Sequence, residues 1–310
     1  MSSDFAAWLG LREAADAAAR APELAERVRR HLAGRPPVGD PRTAHPRTAH
    51  PRAGRPRADH PRAGRPRVGD PRVGDPRLVV HDLGSGTGAM GRWLAPRLPG
   101  PQHWIMYDRD AELLARAAAD LGTAADGTPV TAETRRRDIT RLTADDLDGA
   151  GLVTASALLD MLTADEVERI VAACAGAGCP TLATVSVTGR VELTPPDPLD
   201  ADIAEAFNAH QRRTVGGRSL LGPDAVQACV DAFGRHGMNV MVRFSPWRLG
   251  ADQADLAAEW FSGWVAAACE QRPELAGPVA AYARRRLAQA AAGRLGVVVH
   301  HSDLLAGVPE

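Results

Sequence analysis

The chain has 310 residues, 45% of them hydrophobic, and a formal net charge of −1, so it can bury a sizeable core and carries no general attraction to nucleic acid or anionic membranes. All 37 basic residues are arginine, a compositional bias from which no function follows. Cys174, Cys179, Cys229 and Cys269 are scattered without a CxxC pair, which argues against zinc, any other metal centre or a disulfide framework. No run approaches the ~20 apolar residues of a membrane span, and the first residues lack a basic, apolar leader, so a reduced, cytoplasmic setting is expected.

Two helices open the chain, over 4–20 and 22–33, forming an N-terminal segment of residues 1–35. Pro22 suits a first helical turn, Leu24, Val28 and Leu32 make one apolar stripe, and Phe5 and Trp8 read as core residues. Residues 36–77 are a linker built on a five-residue repeat, PRTAH, PRAGR and PRVGD. Proline at that spacing stops a helix and starves a central strand of donors, so the linker is expected to be disordered. A passive loop is the plain reading, because closure entropy grows only with the logarithm of length. Its arginines could instead track phosphates or an acidic partner, although no aromatics interleave them to stack on bases. His45, His50 and His60 have no fixed geometry for a metal.

Residues 78–94 read LVVHDLGSGTGAMGRWL. Leu78, Val79 and Val80 predict a buried parallel strand, and Gly84, Gly86 and Gly88 a tight turn where the backbone comes close to a nucleotide-like ligand. Gly86-x-Gly88-x-x-Gly91 also fits the dinucleotide fingerprint. Asp82 separates the two templates: a carboxylate at the strand end opposes a pyrophosphate and favours a ligand with an ammonium and a sulfonium.

A second strand over 103–108 ends in Asp108, twenty residues beyond Gly88, and Asp110 caps a helix over 111–121. A third strand, 130–137, precedes Asp138 and Ile139, and a short helix covers 143–147. The fourth strand, 151–156, leads into ALLDML at 157–162. A helix over 164–175 and a strand over 181–187 follow. Residues 188–221 form a polar, proline-rich insertion with one helix over 201–212. The remainder predicts a helix to 235, a strand over 239–244 with Trp247 at its end, helices over 252–292 broken at Pro273 and Pro278, and a last strand over 295–300.

The acid-x-Gly-x-Gly-x-Gly pattern, Asp108, the Asp138-Ile139 pair and the segment after strand four, in that order, resemble the class I S-adenosylmethionine-dependent methyltransferases of the small-molecule type. The resemblance covers residues 78–301, specifically in the first half and architecturally in the second. It implies a doubly wound α/β fold with a seven-stranded, mostly parallel sheet whose last strand inserts antiparallel between strands five and six. Residues 78–188 would be the cofactor-binding half of the core, 189–221 a substrate-side insertion and 222–310 the second half. The two leading helices would either cover the cofactor or shape the substrate pocket, or simply pack on the sheet.

The implied cofactor is S-adenosyl-L-methionine, held by Asp82, Gly84, Ser85, Gly86, Gly88, Asp108, Arg109, Asp138, Ile139 and Ser156. Asp108 would accept from the ribose hydroxyls, and Asp138 with Ile139 would meet the adenine. His210 in the insertion and Asp160 after strand four are the candidate catalytic bases. Arg212 and Arg213 could clamp an anionic substrate, while His300, His301 and Trp247 read as structural. Ala155-Ser156-Ala157-Leu158 stands where base-methylating enzymes carry an Asn/Asp-Pro-Pro-aromatic turn, so a small-molecule substrate is expected and nucleic acid is not. Two alternatives share the glycine turn: an NAD(P)-dependent oxidoreductase, and a non-catalytic S-adenosylmethionine-binding module whose basic tether recruits a partner.

Overall fold

The computed structural model describes residues 3–34, 77–119 and 121–309; apart from Arg77, the expected repeat linker lies outside the described residues. Helices α1 (Ser3–Ala19) and α2 (Pro22–Ala33) come first. They are followed by β1 (Leu78–Leu83), α3 (Ala89–Leu94), β2 (Gln102–Asp108), α4 (Ala111–Ala117), β3 (Val130–Arg136), β4 (Leu152–Ser156) and α5 (Ala164–Gly176). Next are β5 (Thr181–Thr194), α6 (Asp200–Gln211), a hairpin of β6 (Thr214–Val215) and β7 (Arg218–Ser219), α7 (Ala225–Arg235) and β8 (Val240–Phe244). The last elements are β9 (Trp247–Leu249), α8 (Ala254–Gln271), α9 (Ala276–Ala291) and β10 (Gly296–Ala306).

The main sheet runs β3-β2-β1-β4-β5-β10-β8. Its first five strands are parallel, and β10 lies antiparallel between β5 and β8, as the motif resemblance implies. The short β9 adds an eighth strand on β10.

The pleat sorts side chains by parity. Leu83, Ile105, Tyr107, Val153 and Ala155 face α5 and α7. Val80, Trp104, Met106, Leu152 and Leu182 face α2, α3 and α4. On this second face the strands turn polar as they approach their carboxyl ends: Val80 gives way to Asp82, Leu152 to Thr154 and Ser156, and Leu182 to Thr184. All four polar residues come together there under α1.

Several elements differ from expectation. The boundary drawn at residue 189 falls inside β5, because 188–194 continues the strand with Val191 and Leu193 on one face. Its backbone is satisfied by β10, which pairs with it from Gly296↔Thr194 to Ala306↔Thr181. That long pair, β9 and helices α6, α8 and α9 enclose a third core. Trp247 opens β9 rather than ending β8. Pro273 breaks the terminal helices as expected, whereas Pro278 sits in the first turn of α9, where no amide donor is needed.

Asp303, fully buried on β10, ties the N-terminal helices to this sheet. A register shift between Ser302 and Leu304 accompanies its turn inwards. Its carboxylate accepts from Ala21 N (2.8 Å), Val185 N (2.8 Å) and Ser245 Oγ (2.5 Å). Val185 is held at φ 56, a left-handed conformation that costs a β-branched residue roughly 1–3 kcal/mol. Replacing Asp303 with Ala strands two buried amide donors, so urea unfolding should show a loss of about 2–4 kcal/mol; an unchanged midpoint would refute this role.

Candidate functional site

Beyond the carboxyl ends of β1, β2 and β4 lies a cavity of about 550 Å³, the position where open α/β sheets bind ligands. The glycine turn forms its floor. Gly84, Gly86 and Gly88 all have left-handed φ, at 65, 53 and 86°. A Cβ on Gly88 would stand 2.8 Å from the Ala117 carbonyl, so the turn packs directly on α4. A Cβ on Gly86 would instead meet Leu9 of α1 at 3.3 Å.

Helix α1 is the roof. Phe5, Trp8, Leu9, Arg12, Asp16 and Arg20 recur at helical spacing and line the cavity. Phe5 is therefore not core; it is 40% exposed. Asp16 accepts both Nε and Nη2 of Arg12 (3.0 and 3.1 Å) as well as Trp247 Nε1 (2.9 Å). A covering role for the leading helices is what the resemblance implies, but hydrophobic periodicity does not pick out this stripe, because it mixes ring, aliphatic and charged residues.

Three residues that line the cavity each carry a buried polar atom without a partner: Asp82 Oδ2, Ser85 Oγ and Arg20 Nη1. Asp82 is 1% exposed, and its other oxygen accepts from Thr154 Oγ1 at 2.7 Å across the β1–β4 register. Burial pushes its carboxyl up to about 7, against the opposing pull of Thr154 and Arg20. Arg20 is 2% exposed and lies over the Trp93 ring at 5.3 Å. Its Nη2 donates to Ser156 Oγ (3.0 Å) and its Nε to Thr184 Oγ1 (3.3 Å). Burial lowers the guanidinium's pKa from its ordinary value, while Asp16, Asp303 and Asp82 raise it.

The other sequence-predicted residues divide. Asp108 lines the cavity, with Oδ2 accepting from Gly86 N and Oδ1 from Asp110 N, both at 3.0 Å. Ile139, Ser156 and Arg109 line it too. Asp138 does not. It accepts from Thr140 N, Thr140 Oγ1 and Arg109 Nη2 (2.8 Å). Desolvation raises its carboxyl, but the Arg109 and Thr140 hydrogen bonds prevail and bring it down to about 2. Its place is to fix the turn that presents Ile139.

The two candidate bases also separate. Asp160 stands in the cavity wall, and burial raises its carboxyl above the usual range, opposed by Arg12. His210 does not reach the cavity. It packs on the far side of α6, its Nε2 3.2 Å from Glu270 Oε2 of α8 and its Nδ1 3.1 Å from Arg213 Nη1. Arg212 is likewise engaged, donating to Asp224 at 2.6 and 2.7 Å. Among the described residues no helix is long and apolar enough to cross a membrane.

No protein-family profile matches the chain, and no curated protein matches it. Solved structures do. A cyclopropane synthase, MmaA2, from Mycobacterium tuberculosis is similar at 13% identity and a TM-score of 0.41, over 74% of this chain and 78% of that one. A SAM-dependent methyltransferase from Geobacter sulfurreducens, in complex with S-adenosyl-L-homocysteine, is similar at 19% identity and a TM-score of 0.35, over 75% and 85% respectively.

Asp82 gives the folded protein a pH dependence of known sign. Its carboxyl is raised from 3.8 to about 7, so its ionisation opposes folding, and stability is lost as pH rises through that window. Asp82→Asn keeps an acceptor for Thr154 and removes the buried charge. Its Tm should therefore exceed the wild-type value at pH 8 and approach it at pH 4; a lower Tm at pH 8 would contradict the raised pKa.

Proposed function

We propose that this chain is an S-adenosylmethionine-dependent methyltransferase acting on a small molecule. The observation that carries the reading is the set of unpartnered atoms in one cavity wall: a carboxylate oxygen of Asp82, a guanidinium nitrogen of Arg20 and the Ser85 hydroxyl. An anion site and a cation site in one enclosure complement a zwitterionic amino-acid group, with the Asp82 carboxylate meeting the ammonium and Arg20 the carboxylate. A dinucleotide has no such group, and its pyrophosphate would face Asp82 across a poorly screened gap.

The rest of the wall accommodates the remainder of the same molecule. Asp108 keeps lone pairs for the ribose hydroxyls, and Ile139 offers an apolar surface to the adenine. When bound, the cofactor supplies an electrophilic methyl group on sulfur, and the protein's task is to align an acceptor atom with it and exclude water. Asp160, desolvated beside that position, takes the proton of a hydroxyl or amine acceptor; its raised pKa makes it a better base than an exposed aspartate.

Calorimetry with S-adenosylhomocysteine tests the reading. Wild type should bind it, and Asp82→Asn and Arg20→Leu should each weaken binding by about 30-fold or more, the scale of an unpaired buried charge. Because the ammonium pairs with ionised Asp82, affinity should fall below pH 7, with proton release on binding. Indifference to S-adenosylhomocysteine combined with binding of NADH would overturn the proposal in favour of an oxidoreductase.

A further inference from the structure

A smaller cavity of about 90 Å³ adjoins the first and shares Trp8 and Arg12 with it. Only 4% of the chain is aromatic, yet Trp8, Phe207, Trp247 and Trp260 all converge on this chamber. The Trp8 and Trp247 centroids are 6.4 Å apart at 60°, a tilted pair of the kind aromatic rings favour. Arg12 lies 4.8 Å over Trp247 and, held by Asp16, forms the partition between the two cavities.

Two polar atoms of the chamber wall are buried without a partner, His301 Nδ1 and Gln211 Oε1. His301 is 3% exposed, and its ring stands 5.3 Å from Trp247. A register shift between Val299 and His301 bends β10 at this point, a device that re-aims side chains near binding sites. Burial depresses the imidazole to about 3, so it is neutral and, as the Nε2–H tautomer, offers Nδ1 as an acceptor. Neighbouring polar groups are occupied: His300 Nε2 by Glu192 (2.9 Å) and Asn208 Nδ2 by the Gly189 carbonyl (2.8 Å).

We infer that this chamber is the acceptor subsite and takes a single aromatic ring bearing a hydroxyl or N–H donor, the ring among Trp8, Trp247 and Trp260 and its donor on His301 Nδ1 or Gln211 Oε1. The volume is below the ~150 Å³ of an engineered cavity that holds benzene, so the chamber takes one six-membered ring at most. The assignment deepens the methyl-transfer reading and rests on it for the identity of the ligand as acceptor. It narrows the substrate to hydroxylated or N–H-bearing aromatic small molecules that reach past Arg12 towards Asp160.

Fluorine NMR titrations of the full chain with 4-fluorophenol and fluorobenzene test it. Wild type should bind 4-fluorophenol about fivefold more tightly than fluorobenzene, the worth of one hydrogen bond. Trp260→Ala, a change at a half-buried ring, should weaken 4-fluorophenol by about fivefold or more while leaving S-adenosylhomocysteine affinity unchanged. His301→Leu should erase the preference for the hydroxyl. If that variant does not fold, the wild-type preference and Trp260→Ala still decide. Equal affinity for the two probes in wild type, no binding of either, or wild-type affinity in Trp260→Ala would overturn the subsite. Because the titration runs with or without S-adenosylhomocysteine, loss of cofactor binding alone would count only against the methyl-transfer reading.

Discussion

A buried guanidinium just beyond the first helix and a buried carboxylate at the end of the central strand stand over the same patch of sheet. Burying either Arg20 or Asp82 alone would cost several kcal/mol. Together, and with Thr154, Ser156, Thr184 and the face of Trp93 as further partners, they are tolerated. The arrangement holds α1 across the strand ends and so roofs part of the crevice there. It also leaves one atom of each charged group buried without a partner in residues that line the cavity. An unfilled hydrogen-bonding group held in a low-dielectric wall is a strong selector, because only a ligand of the complementary charge and spacing relieves it.

The features legible in the sequence are those whose cause is local. A β-branched run followed by glycines at alternate positions dictates strand then turn, and the replacement of Val80 by Asp82 along one face marks where the strand meets the cavity. Asp108 at the end of the second strand follows the same way, whereas the antiparallel insertion of β10 was legible only as what the motif resemblance implies. Arg20 was not legible, because its partners Ser156 and Thr184 are more than a hundred residues away and nothing in α1 announces them. His210 shows the converse: its chemistry suits a base, but the packing of α6 on α8 decides where the ring points, and it points to Glu270. Likewise the extension of β5 to Thr194 depends on β10 being there to pair with it.

The third hydrophobic core gives the molecule its individuality. The sheet and the two clusters on its faces build the cavity floor, and they follow the expected plan. The cluster around Trp247, Phe261, Trp264 and Tyr282 arises because β5 and β10 run on past the sheet and carry α6, α8 and α9 with them. That overhang supplies Trp247, Trp260, Phe207 and His301 to the chamber beyond Arg12. Helix α1 touches both regions, with Ala17 against the sheet cluster and Trp8, Ala15 and Ala19 against the overhang. One helix thus sets the relative placement of the two cavities.

The bond between Ala21 and Asp303 spans 282 positions of sequence. A contact of such separation forms only after the intervening strands have found their register, since the entropy of closing so long a loop must be offset by structure already in place. The roof of the cavity can therefore be seated only once β10 has threaded between β5 and β8. The residues at the head of the described chain are thus among the last to reach their final positions, and a completed cavity becomes a report on the whole fold rather than on any part of it.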